Sequence, residues 1–345
     1  MGIDPRTTRA ITEVMGYELM TVVQHQTLRQ ALTGVDMLAK AKTGTGKTLA
    51  FLIPSIEQAA AAKAKGSRSV KVLAISPTRE LASQIYEEAL VLCQFHSLTA
   101  QVIVGGTNAK KDIAGFKQGP PDILIATPGR LNDHLSSGAL GANIKGLTTL
   151  VFDEADQLLD MGFRPAIEQI LRQLPPKETR QTLLFSATMP ADVSGIAKLA
   201  MRAADKFVYV DTVGEEENTH EHVPQRVVVT DLHQQAHELL AQVAAARQED
   251  GHKVVVFFTT ARLTQFYAEL FNLLGEPVLE IHSRLSQSRR TKVSDQFREG
   301  RNMVLFSSDV SARGLDYPDV STVIQVCVCS YYRMCSLTME CVLLL

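Results

Sequence analysis

The eight residues AKTGTGKT, 41–48, constrain the fold more than any other stretch of the chain. They emerge from the apolar run DMLAKA and lead into a helix-length run starting at Leu49. A glycine-rich turn at a strand-to-helix junction points backbone N–H groups at an anion, and the helix N-terminus adds partial positive charge. Gly44 and Gly46 let the backbone curl, Lys47 can reach β- and γ-phosphates, and Thr48 offers a hydroxyl to Mg²⁺. Thr43 and Thr45 lie in the same loop and belong with the nucleotide-binding residues. The bland alternative is a glycine-rich turn with a surface lysine. Ala41 stands where the general pattern has glycine, which narrows the type of phosphate loop.

Such a loop demands an α/β architecture, and the rest of the chain supplies it. DMLAKA, KVLAISP, AQVIVGG, DILIATP, TTLVFDEA and TLLFSAT read as buried parallel strands with helical runs between them. The alternation resumes after residue 225 with RVVVTD, KVVVFFTT, PVLEIHS, NMVLFSS and STVIQV. Helices therefore cover both faces of two sheets. The polar, acidic stretch VDTVGEEENTHEHVPQ, 210–225, reads as a linker. The expected domains are 1–209 and 226–326, with a tail at 327–345.

VFDEAD, 151–156, places Asp153 at a strand's carboxyl end, where an α/β sheet presents ligand groups. Asp153 can hold Mg²⁺ directly or through water, and Glu154 can orient and deprotonate an attacking water. The alternative is a pair of acidic residues capping the next helix.

Together the phosphate loop and DEAD resemble the DEAD-box ATP-dependent RNA helicases. Further motifs fall in that family's order: Gln24 in MTVVQ, PTRELA at 77–82, Gly105–Gly106, TPGR at 127–130, SAT at 186–188 and ARGLD at 312–316. The wording of several stretches is most similar to a fungal mitochondrial subgroup that acts as an RNA chaperone in intron splicing. The resemblance implies two RecA-like parallel-sheet domains in tandem, the second incomplete, with ATP and Mg²⁺ as cofactors. It implies that Gln24 reads adenine and that Gly44, Gly46, Lys47 and Thr48 hold phosphates and metal with Asp153. Glu154 is the implied general base. Asp156, Ser186 and Thr188 are implied to couple the nucleotide state to domain closure. Gly314 and Asp316 are implied to meet the nucleotide from the second domain. RNA phosphates are implied to meet Pro77, Thr78, Arg79, Gly106, Thr127, Gly129, Arg130 and Ser308. It also implies an adenine-stacking aromatic 17 residues ahead of Gln24, where this chain has Thr7.

The residues support this mode on their own terms. Backbone, hydroxyl and arginine contacts to phosphate carry no base information, and no aromatic cluster or Trp accompanies them. Sequence-tolerant RNA binding is therefore expected. With 35 basic and 37 acidic residues the net charge is −2, so positive charge for a polyanion must be local. One cysteine, Cys93, precedes the tail, which suits a reducing, intracellular setting. The expected state is a monomer without a membrane span, with the mitochondrial matrix implied by the subgroup wording.

The tail CVCSYYRMCSLTMECVLLL breaks the pattern. Its cysteines lack paired zinc spacing, and it is too short and too interrupted for a membrane anchor. It reads as misframed or read-through sequence lying outside the fold. The family's HRxGRxxR helix is not found in it, and the resemblance assigns those arginines to the γ-phosphate. The alternative function is therefore an ATP- and RNA-binding fragment with crippled hydrolysis.

Overall fold

The computed structural model describes residues 2–203, 206–213, 224, 226–308, 317–329 and 340–344. The chain divides into two compact units, Met1–Glu215 and Glu216–Leu345.

The first unit is built on seven strands: β1 (Asp36–Lys40), β2 (Val72–Ile75), β3 (Ala100–Ile103), β4 (Ile123–Ala126), β5 (Thr149–Phe152), β6 (Gln181–Ser186) and β7 (Phe207–Asp211). Their order is β3-β4-β2-β5-β6-β1-β7, and every pair is parallel. β2 (VLAI) and β4 (ILIA) are apolar throughout, and β5 and β6 are apolar in their middles, because both faces are covered by helices. Side chains alternate between the faces. Val151, Leu183 and Phe185 enter one core with Phe51, Leu52 and Ile56. Leu150, Phe152 and Leu184 enter the other with Leu131, Leu158 and Ile170.

This strand order splits the sheet's carboxyl edge in two. β1, β6 and β5 are neighbours, so the loops after Lys40, Ser186 and Phe152 come together. β2, β4 and β3 are likewise neighbours, which groups the loops after Ile75, Ala126 and Ile103. The DEAD-type motifs fall in the first group and the PTRELA, GG and TPGR motifs in the second.

The second unit contains β8 (Val227–Asp231), β9 (Lys253–Phe258), β10 (Leu279–Ile281), β11 (Met303–Ser308), β12 (Thr322–Cys329) and β13 (Glu340–Leu344), in the order β10-β11-β9-β12-β13-β8. The first four in that order are parallel. Val254, Val256, Phe258, Phe271, Phe306 and Ile324 form its core.

Two expected boundaries need correction. Residues 210 and 211, assigned to the linker, are the end of β7, paired with Ala39 and Lys40 of β1. The tail does not lie wholly outside the fold: β12 continues through Cys329, and β13 pairs antiparallel with both β12 and β8. Sheet pairing is made by backbone groups, so an abrupt change of composition does not prevent it. VIQVCVC and ECVLL both keep β-forming residues. Gly314 and Asp316 fall outside the described residues.

Candidate active site

The phosphate loop leaves β1 and ends at Gly46, the N-cap of the helix Lys47–Ala64. Gly44 has φ 77° and Gly46 φ 85°, the left-handed conformation that a side chain disfavours. Space is a second constraint at Gly46, where a Cβ would lie 2.7 Å from Gln24 Nε2. Thr45 Oγ1 closes the loop by donating to the Lys42 carbonyl at 2.8 Å. Lys47 is the first helical residue and is buried, and Thr48 beside it is half-buried.

Lys47 Nζ donates to Glu154 Oε1 at 2.6 Å. Glu154 follows β5 and itself adopts φ 50°, an unusual conformation for a residue with a side chain. Gln157 Nε2 donates to its other oxygen at 3.2 Å, and Thr43 Oγ1 lies 3.4 Å from Oε1. Asp153 is buried beside it, and its Oδ1 has no hydrogen-bond partner. Burial first, then the Glu154 charge, pushes the Asp153 carboxyl well above the usual carboxylate range. An orphaned buried carboxylate oxygen next to a phosphate-type loop fits a divalent cation, which would both pair with it and hold it ionised.

Asp156, one turn on, ties this loop to β6. Its N–H donates to Ser186 Oγ at 3.1 Å. Its Oδ2 accepts from Thr188 N–H at 2.9 Å and from Thr188 Oγ1 at 2.8 Å. The three expected coupling residues therefore form one hydrogen-bonded unit.

Gln24 is brought to the phosphate loop by a capping box at the start of the helix Val22–Ala31. Thr21 N–H donates to Gln24 Oε1 at 3.0 Å, while Gln24 Nε2 donates to the Gly46 carbonyl at 3.1 Å. Thr21 and Gln157 are site residues that motif reading passed over. The T-x-x-Q spacing was the available signal for Thr21. Thr7 is elsewhere: it is buried, donates to Glu57 and sits 2.9 Å from His96 Nε2. Glu57 lies ten residues along the helix from Lys47, about 15 Å away at ~1.5 Å per residue.

At the other half of the edge, Thr78 caps the helix Arg79–Cys93, accepting from Leu81 N–H at 3.2 Å. Pro77 is buried before it, and Arg79 is half-buried against Gly105 and Gly106. Thr127 Oγ1 accepts from Gly105 N–H at 3.3 Å, and Gly129 is exposed. Arg130 is also held from within the domain. Its guanidinium is buried and bound to Asp112 Oδ2 at 2.7 Å and to the Thr107 carbonyl at 2.6 Å. The sequence reading missed this because Asp112 sits on a different helix, outside any motif. In the second unit, Ser308 is buried at the carboxyl end of β11. Among the described residues, no helix is long and apolar enough to cross a membrane.

Comparison with known proteins agrees with this geometry. Residues 21–196 match the DEAD/DEAH box helicase family, and 234–336 match the helicase conserved C-terminal domain. The second match runs past the expected boundary at 326, which counts against a binding-only fragment that leaves the family there. DEAD-box ATP-dependent RNA helicase 26 of Oryza sativa is 49% identical over 328 residues, covering 94% of this chain and 60% of that protein. Its namesake in Arabidopsis thaliana is 44% identical, with 94% and 38% covered. The chain thus spans from about two-fifths to three-fifths of these curated relatives. Mss116p bound to single-stranded RNA and AMP-PNP aligns with TM-score 0.82 at 30% identity, covering 94% of this chain and 66% of that one. Dbp5 of S. cerevisiae bound to RNA and ADP BeF3 aligns with TM-score 0.76 at 25% identity, covering 93% and 78%. The chain belongs to the DEAD-box family of ATP-dependent RNA helicases.

Proposed function

We propose that this chain binds ATP at the β1–β6–β5 edge and couples its hydrolysis to gripping RNA by the backbone and opening short duplexes. The observation that carries the reading is the buried Lys47–Glu154 pair beside the orphaned Asp153 carboxylate. Lys47 is placed for the phosphates by the helix it begins, and Glu154 is held by Lys47 and Gln157 in a fixed rotamer. An arriving γ-phosphate draws Lys47 away, which leaves Glu154 Oε1 as an acceptor for the attacking water's proton. Mg²⁺, held by Thr48 and Asp153, would neutralise developing charge on the phosphates. Asp156, bonded to Ser186 and Thr188, moves with the DEAD loop and transmits its position to β6.

The RNA side of the reading rests on the second half of the edge. Thr78, Gly106, Thr127 and Gly129 offer hydroxyl and backbone groups, not base-reading side chains. The subgroup wording supports a role in RNA processing, with the mitochondrion as the proposed compartment.

The test is ATP turnover by the purified chain with and without duplex RNA. RNA-stimulated hydrolysis supports the reading, and the absence of hydrolysis with nucleotide still bound overturns it.

A further inference from the structure

The helix Ala109–Gln118 follows the Gly105–Gly106 loop and carries Asp112, which belongs to none of the motifs. Asp112 is 7% exposed. Its Oδ2 accepts from Arg130 Nη1 at 2.7 Å and from His134 Nε2 at 2.9 Å. Both donors sit on the helix Pro128–Ser136, so one carboxylate joins the two helices. Arg130 then reaches on to the Thr107 carbonyl at 2.6 Å.

The loop that leads from β3 into the helix Ala109–Gln118 is held at three successive residues. Gly105 N–H donates to Thr127 Oγ1 at 3.3 Å. Gly106, at φ 78°, is packed so closely that a Cβ would lie 2.9 Å from Arg79 Cζ. Thr107 is held by Arg130. Each terminal nitrogen of the guanidinium spends one N–H inside the domain, so the orientation of Arg130 is fixed from within.

We infer that Asp112 is a positioning residue for RNA: through Arg130 it fixes the Gly105–Thr107 backbone in the conformation that meets RNA phosphates. The inference rests on the proposed RNA-binding reading and deepens it. A loop ordered before binding loses less conformational freedom on association. Asp112 then acts on affinity without itself touching a phosphate, by fixing Arg130 and the loop near the exposed Lys110 and Lys111.

The experiment uses the full chain with AMP-PNP, Mg²⁺ and a fluorescent oligouridylate, titrated across a range of salt. Asp112→Ala and Arg130→Ala are each expected to weaken RNA binding about tenfold, and the double variant no further, because both remove one device. ADP affinity stays unchanged. The slope of log affinity against log salt stays unchanged in Asp112→Ala, whereas a lost phosphate contact would reduce it by ~0.7 for a single strand. Asp112→Asn keeps an acceptor oxygen and falls between Asp112→Ala and wild type. A wild-type chain that binds RNA alongside an unaffected or tighter-binding Asp112→Ala overturns the inference alone, as does a reduced slope in Asp112→Ala. A wild-type chain that binds nucleotide but no RNA overturns the underlying reading, and this inference with it.

Discussion

Lys47 Nζ and Glu154 Oε1 lie 2.6 Å apart, 107 residues apart in sequence and both nearly fully buried. The pair joins the phosphate loop to the DEAD loop across the intervening strand β6. Removing one member leaves the other charge buried and unpaired, which costs about 3–5 kcal/mol.

Lys47→Ala should therefore lower stability by about that much and abolish nucleotide binding. Glu154→Gln keeps an acceptor oxygen for Lys47, so fold and ATP binding persist while hydrolysis falls ~10²–10⁴-fold with the loss of the base. Denaturant unfolding, nucleotide titration and phosphate release separate these outcomes. Hydrolysis of bound ATP by Glu154→Gln at the wild-type rate would show that Glu154 is not acting as a base.

Gly46→Ala meets two obstacles. The left-handed φ of 85° costs roughly 1–2 kcal/mol for a residue with a Cβ, and the new carbon would press on Gln24 Nε2. The second obstacle is the mobile end of a side chain. Gln24→Ala combined with Gly46→Ala should therefore recover part of the lost stability but not the backbone strain. Thermal unfolding of the four-member cycle measures this, and strict additivity would mean that Gln24 does not contact the loop in solution.

His96 ties the N-terminal helix to the domain through Thr7, with Asp4, Arg6 and Glu57 around it. Burial, then Arg6, holds its pKa below 6.5, and its Nδ1 has no partner. The unfolded chain thus binds the proton more readily than the folded one. The His96 contribution to stability is present above pH 6.5 and is lost as pH falls through the lowered folded value. Urea midpoints of wild type and His96→Gln should differ at pH 7 and converge as pH falls below 6.5. A constant difference would exclude His96 as the titrating group.

What could be read from the chain was whatever is contiguous. The phosphate loop, VFDEAD, SAT and TPGR each carry their chemistry in a few neighbouring residues, and their order along βα units brings them to one sheet edge. Relationships between elements were not legible. The motif marks Arg130 but gives no sign that Asp112, on another helix, holds it. Composition misled at the end of the chain, because it describes side chains while the sheet is made by backbone.

That last point is testable at Val342. It lies mid-β13, opposite Cys327 of β12 and Val229 of β8, so its strand has a partner on each side. Proline there removes an N–H from an interior strand and forces a ring into the ladder. Val342→Pro should lower the stability of the second unit and speed amide exchange across residues 227–231. It should leave nucleotide binding by the first unit unchanged, since Lys47 and Glu154 belong to a separate sheet. Unchanged exchange in β8 would mean that residues 340–344 do not pair there, and would restore the reading in which the tail stands outside the fold.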